Sequence, residues 1–219
     1  PTSRALDVVA EEAGIPCFET PTGWRYFCNL LEAGRFGLCG EESFGTGSAQ
    51  TREEDGLWAV LFWVNIVAAR RLPLPAIAAE HWRRFGRHYF QRQDYEIADA
   101  GAAARVVAGL RAAAPGMAGR RLGAAKVTAA DDFSYHDPVD GSVAPHQGVR
   151  VSLDDGSRMV FRLSGTGTSG ATLRVYLEKH EREAIGLEPA AVLSPLASLA
   201  REVAAITPLT GLAAPTMVV

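Results

Sequence analysis

Cysteine is scarce in this 219-residue chain, with only Cys17, Cys28 and Cys39. An odd number, at spacings that fit no zinc pattern, speaks against a disulfide framework and a structural zinc site. Buried free thiols in a reducing, cytoplasmic compartment are expected instead. Histidine is sparse too. His81, His88, His136, His146 and His180 share no ligand spacing, so no metal site is expected within the chain, and His81, beside Trp82, reads as a packing or surface residue. Strong charge of either sign is absent. A net charge of -3 provides no broad basic field, and neither nucleic acid nor an acidic membrane is expected as a partner. The longest apolar run, Leu57 to Ala69, is too short to cross a bilayer and contains Asn65; it reads as a buried helix. Internal repeats and low-complexity tracts are also lacking; no signal peptide is expected, and the start at Pro1-Thr2-Ser3-Arg4 suggests residues upstream.

Apolar residues make up 47% of the chain, enough for a proper core. The richest chemistry lies in residues 161–174, FRLSGTGTSGATLR. Arg162 enters this stretch and Arg174 leaves it. Between them stand the hydroxyls of Ser164, Thr166, Thr168 and Ser169, separated by Gly165, Gly167 and Gly170. Guanidinium forks, short hydroxyl donors and closely approaching backbone N–H groups are what a phosphate dianion requires. No GK[ST] follows and both flanks read as strand, so this is neither a Walker loop nor a dinucleotide fingerprint. The alternative is a plain turn between strands with solvated arginines.

Periodicity predicts helices over Ala5–Ala13 and Trp24–Leu31, and short strands over Ile15–Phe18 and Phe36–Cys39. Asp55 can cap the apolar helix, which would be covered on both sides as in a layered α/β unit. Pro75 suits the first turn of the next helix and Gly86 its end. Beyond Gly86 the pattern changes. Strands are expected over His88–Ile97, Lys126–Ala130, Val149–Leu153, Met159–Leu163 and Ala171–Glu178, with a hairpin at Asp154-Asp155-Gly156. Helices are expected over Ala98–Ala114 and Ala190–Ile206, with Leu187–Pro195 as a short linker. The domains read as 1–86 (α/β) and 87–219 (α+β).

A second polar loop runs from Gly40 to Ser48. If it is extended, Glu41 and Ser43 point the same way. A carboxylate that accepts from vicinal hydroxyls is a natural sugar contact; a solvated acidic loop is the alternative. Trp24 could border such a pocket or simply pack, while Trp58 and Trp63 read as core.

Together, CGEESFGTGS at 39–48, PTGWRYF at 21–27, DGLWAVL at 55–61, DPVDGS at 137–142, FRLSGTGTSGATLR and the closing APTMVV closely resemble the phosphoglucomutase family of the α-D-phosphohexomutase superfamily. The resemblance extends over essentially the whole chain. It implies most of a third, three-layer α/β/α domain, lacking its first strand, followed by a TATA-binding-protein-like α+β domain. It implies that Thr22, Gly23, Glu41 and Ser43 meet the sugar, and that Arg162, Ser164, Gly165, Thr166 and Arg174 hold the phosphate that is not reacting. It further implies a phosphoserine and a Mg2+ loop on domains outside this chain, against which the chain would pack. The reaction would interconvert glucose 1-phosphate and glucose 6-phosphate through glucose 1,6-bisphosphate, and the chain alone would be inactive. Another hexose specificity and a non-catalytic binding protein are the alternatives. One departure stands out. The family usually has lysine in R-E-K-D-G-L-W, where this chain has Glu54. Arg52 or Arg25 is expected to supply the displaced positive charge.

Overall fold

The computed structural model describes residues 1–166 and 170–219, with only the backbone described at 165 and 166. Gly167, Thr168 and Ser169 of the expected phosphate loop lie outside the described residues. In chain order the helices are α1 (Ala5–Ala13), α2 (Arg25–Glu32), α3 (Gly56–Arg70), α4 (Leu74–Phe85), α5 (Ala100–Ala113), α6 (Pro189–Val203) and α7 (Ile206–Thr210). The strands are β1 (Leu38–Gly40), β2 (Thr46–Ser48), β3 (Arg87–Ile97), β4 (Arg121–Leu122), β5 (Ala125–Asp132), β6 (Tyr135–His136), β7 (Val143–Ala144), β8 (Val149–Leu153), β9 (Ser157–Thr166), β10 (Ala171–Glu181) and β11 (Met217–Val218). Contacts divide them into one unit of Pro1–Arg87 with Tyr135–Ala144, and another of His88–Ser134 with Pro145–Val219.

In the first unit, local chemistry sets the helix ends. Gly14 closes α1 in the left-handed conformation. The Asp55 carboxylate accepts from the N–H groups of Leu57 and Trp58 and caps α3. A proline in the first turn opens α4, and Gly86 ends it. The unit differs from its sequence in two places. Ile15–Phe18 forms no strand. Pro16 lacks an N–H for a ladder, and the only described sheet near it is the antiparallel β1–β2 pair. Helix α3 was expected to be buried, yet none of its residues is. Leu57 is 79% exposed and Val60 60%, and Trp63, expected in the core, is 50% exposed. A helix apolar on every side must be covered on every side, and the unit described leaves it open. Trp58 stacks on Phe62 with centroids 5.0 Å apart along this surface. No single described helix is long and apolar enough to cross a membrane; α3 and α4 pass such a test only as a pair bent by 81°. The cysteines are all free, but only Cys39 is buried; Cys28 is half-buried and Cys17 exposed. Burial pushes the Cys39 thiol up to about 11, so it stays protonated near neutral pH.

The second unit is built on a sheet with order β11-β3-β10-β9-β8-β5-β4. Pairing of β10 with β9, β9 with β8 and β8 with β5 is antiparallel. Alternation divides the side chains between two faces. Tyr89, Tyr95, Val151, Met159, Phe161, Leu173 and Leu177 join Val106, Leu110, Leu193 and Leu196 of α5 and α6 in one core. The other face carries Arg150, Arg158, Arg162, Arg174 and Glu178, together with Arg92 and Asp94. Asp99 caps α5 through the Gly101 N–H. The helix expected over Ala190–Ile206 is two: α6 gives way to α7 at Ala204, with Ala205 in the left-handed region. The expected linker is in part helix, since α6 begins at Pro189 and continues through Pro195.

Candidate functional site

The first cluster is built on the β1–β2 hairpin. Its connection, residues 41–45, is held by the Glu41 N–H donating to the Gly45 carbonyl and the Phe44 N–H to the Glu41 carbonyl. Glu41 and Ser43 therefore meet through a turn rather than through the extended segment expected. The Ser43 hydroxyl donates to Glu41 Oε2 at 3.1 Å. The backbone N–H of Gly23 donates to Glu41 Oε1 at 2.5 Å. Thr22, Gly23, Glu41 and Ser43 are thus drawn together from two separate loops. Thr20, Thr22, Phe27, Gly40 and Glu41 line a cavity of about 90 Å³. A carboxylate fixed by two donors still has lone pairs for further hydroxyls, which is what a polyol ligand needs. Trp24 packs edge-on against Phe27 at 5.9 Å and covers Gly47, so it serves the loop as packing.

Glu54 belongs to the same cluster. A Cβ placed on Gly45 would lie 2.6 Å from the Glu54 carboxylate, so only glycine allows this approach. Glu54 Oε1 is buried without a hydrogen-bond partner. Burial first, then the charges of Glu41 and Glu53, push its carboxyl above the usual range. A raised carboxyl favours the folded state below its unfolded pKa and loses that contribution as pH rises through the folded value. Glu54→Gln is therefore expected to raise the thermal midpoint relative to the parent near pH 7. The gain should fade as the pH falls below about 4.3, near the ordinary glutamate pKa. Paired melts at the two pH values check this; an equal shift at both would refute it.

The two cations expected to compensate for Glu54 already have partners. Arg52 adopts a left-handed backbone and ion-pairs with Glu32. Arg25 lies 4.6 Å over the Tyr26 ring and donates to the hydroxyl of Tyr26 at 2.6 Å. The sequence reading also left DPVDGS without a physical role. Asp137 accepts from the Val139 N–H and Asp140 from the Ser142 N–H, each at 2.8 Å. The Asn29 amide donates to both carboxylates, at 3.0 and 2.9 Å. Hydrogen bonds from Ser142 hold the Asp140 carboxyl below its usual range. These ties fasten α2, and with it the Thr22–Gly23 turn, to Tyr135–Ala144. The Asx-turn pattern of D-x-x-D-G-S was the available signal.

The second cluster lies on the sheet of the other unit. Arg174 on β10 and Arg162 on β9 are direct cross-strand partners, so both project from one face. Ser164 pairs with Thr172 and the Thr166 backbone with Ala171. Arg162 Nη1 donates to the Tyr176 hydroxyl at 3.4 Å. Arg174 Nε is 3.8 Å from Asp94 Oδ1. Gly148, at φ 148°, comes so close to Arg162 that a Cβ would stand 2.9 Å from Arg162 Cγ and 3.2 Å from the Phe161 carbonyl. Gly148→Ala is accordingly expected to displace the Arg162 stem. The backbone strain should cost about 1–3 kcal/mol, read by urea denaturation. Among the described residues no group of three His, Cys, Asp or Glu side chains is arranged to hold a metal ion.

Comparison with known proteins assigns the class first. Residues 1–85 match the family described as phosphoglucomutase/phosphomannomutase, alpha/beta/alpha domain III. Residues 87–216 match that described as phosphoglucomutase-1, C-terminal domain. The chain belongs to the phosphoglucomutase family. It is 52% identical to a phosphoglucomutase of Rhizobium radiobacter, over 100% of this chain and 41% of that protein. It is 47% identical to phosphoglucomutase-1 of Oryctolagus cuniculus, over 100% of this chain and 40% of that protein. Among solved structures, the open form of pp63/parafusin, an exocytosis-sensitive phosphoprotein and phosphoglucomutase from Paramecium, matches with a TM-score of 0.91 and 45% identity. That match covers 100% of this chain and 38% of parafusin. The chain thus spans about two fifths of the length of these relatives.

Proposed function

We propose that this chain is the C-terminal part of an enzyme that interconverts glucose 1-phosphate and glucose 6-phosphate through glucose 1,6-bisphosphate. The observation that carries the reading is the Glu41 carboxylate, fixed by the Gly23 N–H and the Ser43 hydroxyl into a polyol-accepting group. Thr22, Gly23, Glu41 and Ser43 would meet the sugar hydroxyls. Arg162, Ser164, Gly165, Thr166 and Arg174 would neutralise the phosphate that is not reacting. Such a division suits an intermediate that turns over between two transfers, because positioning and charge neutralisation supply most of phosphoryl-transfer catalysis.

This reading assigns Mg2+ and the phosphoserine to parts of the protein outside this chain. The exposed apolar surface of α3 supports packing against further domains. Three free thiols support a cytoplasmic location. Arg52, two residues before Glu54, and Arg25 are retained as candidates for the positive charge of the lysine replaced by Glu54; if Arg25→Ala and Arg52→Ala both leave turnover intact, that assignment is wrong.

The decisive experiment compares the complete protein with this 219-residue chain. Coupled assays should show glucose 1-phosphate turnover by the complete protein, preferred over mannose 1-phosphate, and none by the chain alone. Failure of the complete protein to turn over either sugar would refute the enzymatic reading.

A further inference from the structure

The candidate phosphate site has a cation that its loop does not supply. Asp94 on β3 is nearly buried, and its Oδ1 faces two guanidinium groups. Arg92 Nε is 3.0 Å away and Arg174 Nε 3.8 Å. All three atoms are buried, and none completes a hydrogen bond. Strand order places β3 beside β10, and β10 beside β9. Arg92, Asp94, Arg174 and Arg162 therefore form one row across three neighbouring strands, on the face away from the hydrophobic core.

Guanidinium geometry gives this row its meaning. The group has an Nε edge and a terminal pair of nitrogens. A carboxylate beside Nε restrains the guanidinium and leaves the terminal pair available to a planar oxyanion. Asp94 approaches both Arg92 and Arg174 from the Nε side. The incomplete hydrogen bonds describe a site that is set but not saturated, since a carboxylate locked to both arginines would compete with an anionic ligand. Arg174 remains 32% exposed at its side chain and Arg92 18%, so each retains solvent access. Three guanidinium groups and one carboxylate leave a formal charge of two positive, which matches a phosphate dianion. Without Asp94 the three cations would repel one another in the empty site and splay apart.

We propose that Arg92 is a third phosphate-contacting guanidinium and that Asp94 is the positioning residue that aims Arg92 and Arg174 at the phosphate. The inference rests on the assignment of this face as the phosphate site. It extends the site from β9 and β10 to β3, which the loop motif does not touch.

The test uses the complete protein, with glucose 1-phosphate as substrate and inorganic phosphate as a competing ligand. Arg92→Ala should raise KM and the phosphate inhibition constant together by about 10-fold or more, the range for a charge-assisted hydrogen bond. Asp94→Asn keeps the shape and removes the charge. It should raise KM by about 5-fold or more while kcat changes less, with Asp94→Glu recovering part of the loss. Arg92→Lys keeps a positive charge beside Asp94, so its thermal midpoint should stay near that of the parent while phosphate affinity still falls, which separates positioning from folding. Arg162→Ala and Arg174→Ala are the reference variants. If they weaken phosphate and Arg92→Ala does not, this inference fails while the phosphate site stands. If they leave phosphate affinity unchanged, the site itself is misassigned. Should Asp94→Asn not fold, Arg92→Ala and Arg92→Lys decide alone, since a lysine cannot reproduce the fork and should recover little affinity.

Discussion

Arg162→Ala in the complete protein is expected to raise KM for glucose 1-phosphate by about 10- to 100-fold, from the 1.5–3 kcal/mol of a charge-assisted hydrogen bond. The side chain is well placed to have so large an effect. It stands directly opposite Arg174, so two guanidinium groups share one face of adjacent strands. Its Nη1 is steadied by the hydroxyl of Tyr176, which is 1% exposed and so a fixed partner. Its stem passes against Gly148, which leaves no room for a Cβ. On the proposed reaction this phosphate would be held in both orientations of the bisphosphate and would contribute to every chemical step, so kcat/KM should fall further than KM alone implies. Arg162→Lys should recover little, because an ammonium lacks the planar fork. Steady-state kinetics with both sugar phosphates check this, and an unchanged KM would remove the phosphate role from β9.

What the sequence made legible was local. Asp55 caps α3 because a carboxylate two or three residues before free N–H groups has few alternatives. Pro75, Gly86 and the Asp154–Gly156 turn act over similarly short range. The β9–β10 pairing follows from two apolar alternations around one loop, and it brings Arg162 to Arg174 without any distant information. Glu41, Ser43 and Gly23 meet by a turn and not by the strand alternation expected. The readings that failed depended on surroundings. An apolar run such as Leu57–Ala69 demands cover but does not say which part of the protein supplies it, so α3 is exposed where burial was expected. Ile15–Phe18 has strand-like residues but no ladder to join. The break at Ala204–Ala205 is signalled only four residues on, by Pro208, which has no N–H to donate to the Ala204 carbonyl in a continuous helix. Asp94 was invisible for a further reason: its partners are a neighbour on its own strand and an arginine from an adjacent strand far along the chain.

Glu178→Ala should be strongly destabilising, with an expected loss of about 3–5 kcal/mol, the cost of breaking a buried ion pair from one side. Glu178 is 3% exposed. Its Oε2 accepts from Arg158 at 3.1 Å, directly across the β10–β9 ladder. Its Oε1 lies 2.8 Å from Nδ1 of His88 on β3, and the His88 ring stacks on His180 at 4.2 Å. One carboxylate thus joins three strands at a point where water is excluded, and His88 Nε2 already lacks a hydrogen-bond partner there. Removing the carboxylate deprives a buried guanidinium of its counter-charge and adds to the unmet polarity. The loss would be a large share of a typical domain stability of about 5–15 kcal/mol. Urea denaturation should rank the parent, Glu178→Gln and Glu178→Ala in order of falling stability, because glutamine keeps the shape and some hydrogen bonding but not the charge. The double change Arg158→Met with Glu178→Leu supplies the sharper test. Well-packed apolar pairs replace buried ion pairs at little cost, so the double variant should be more stable than Glu178→Ala alone. If it is not, the cluster holds the strands by more than charge compensation, and the stacked histidines become the place to look for what remains.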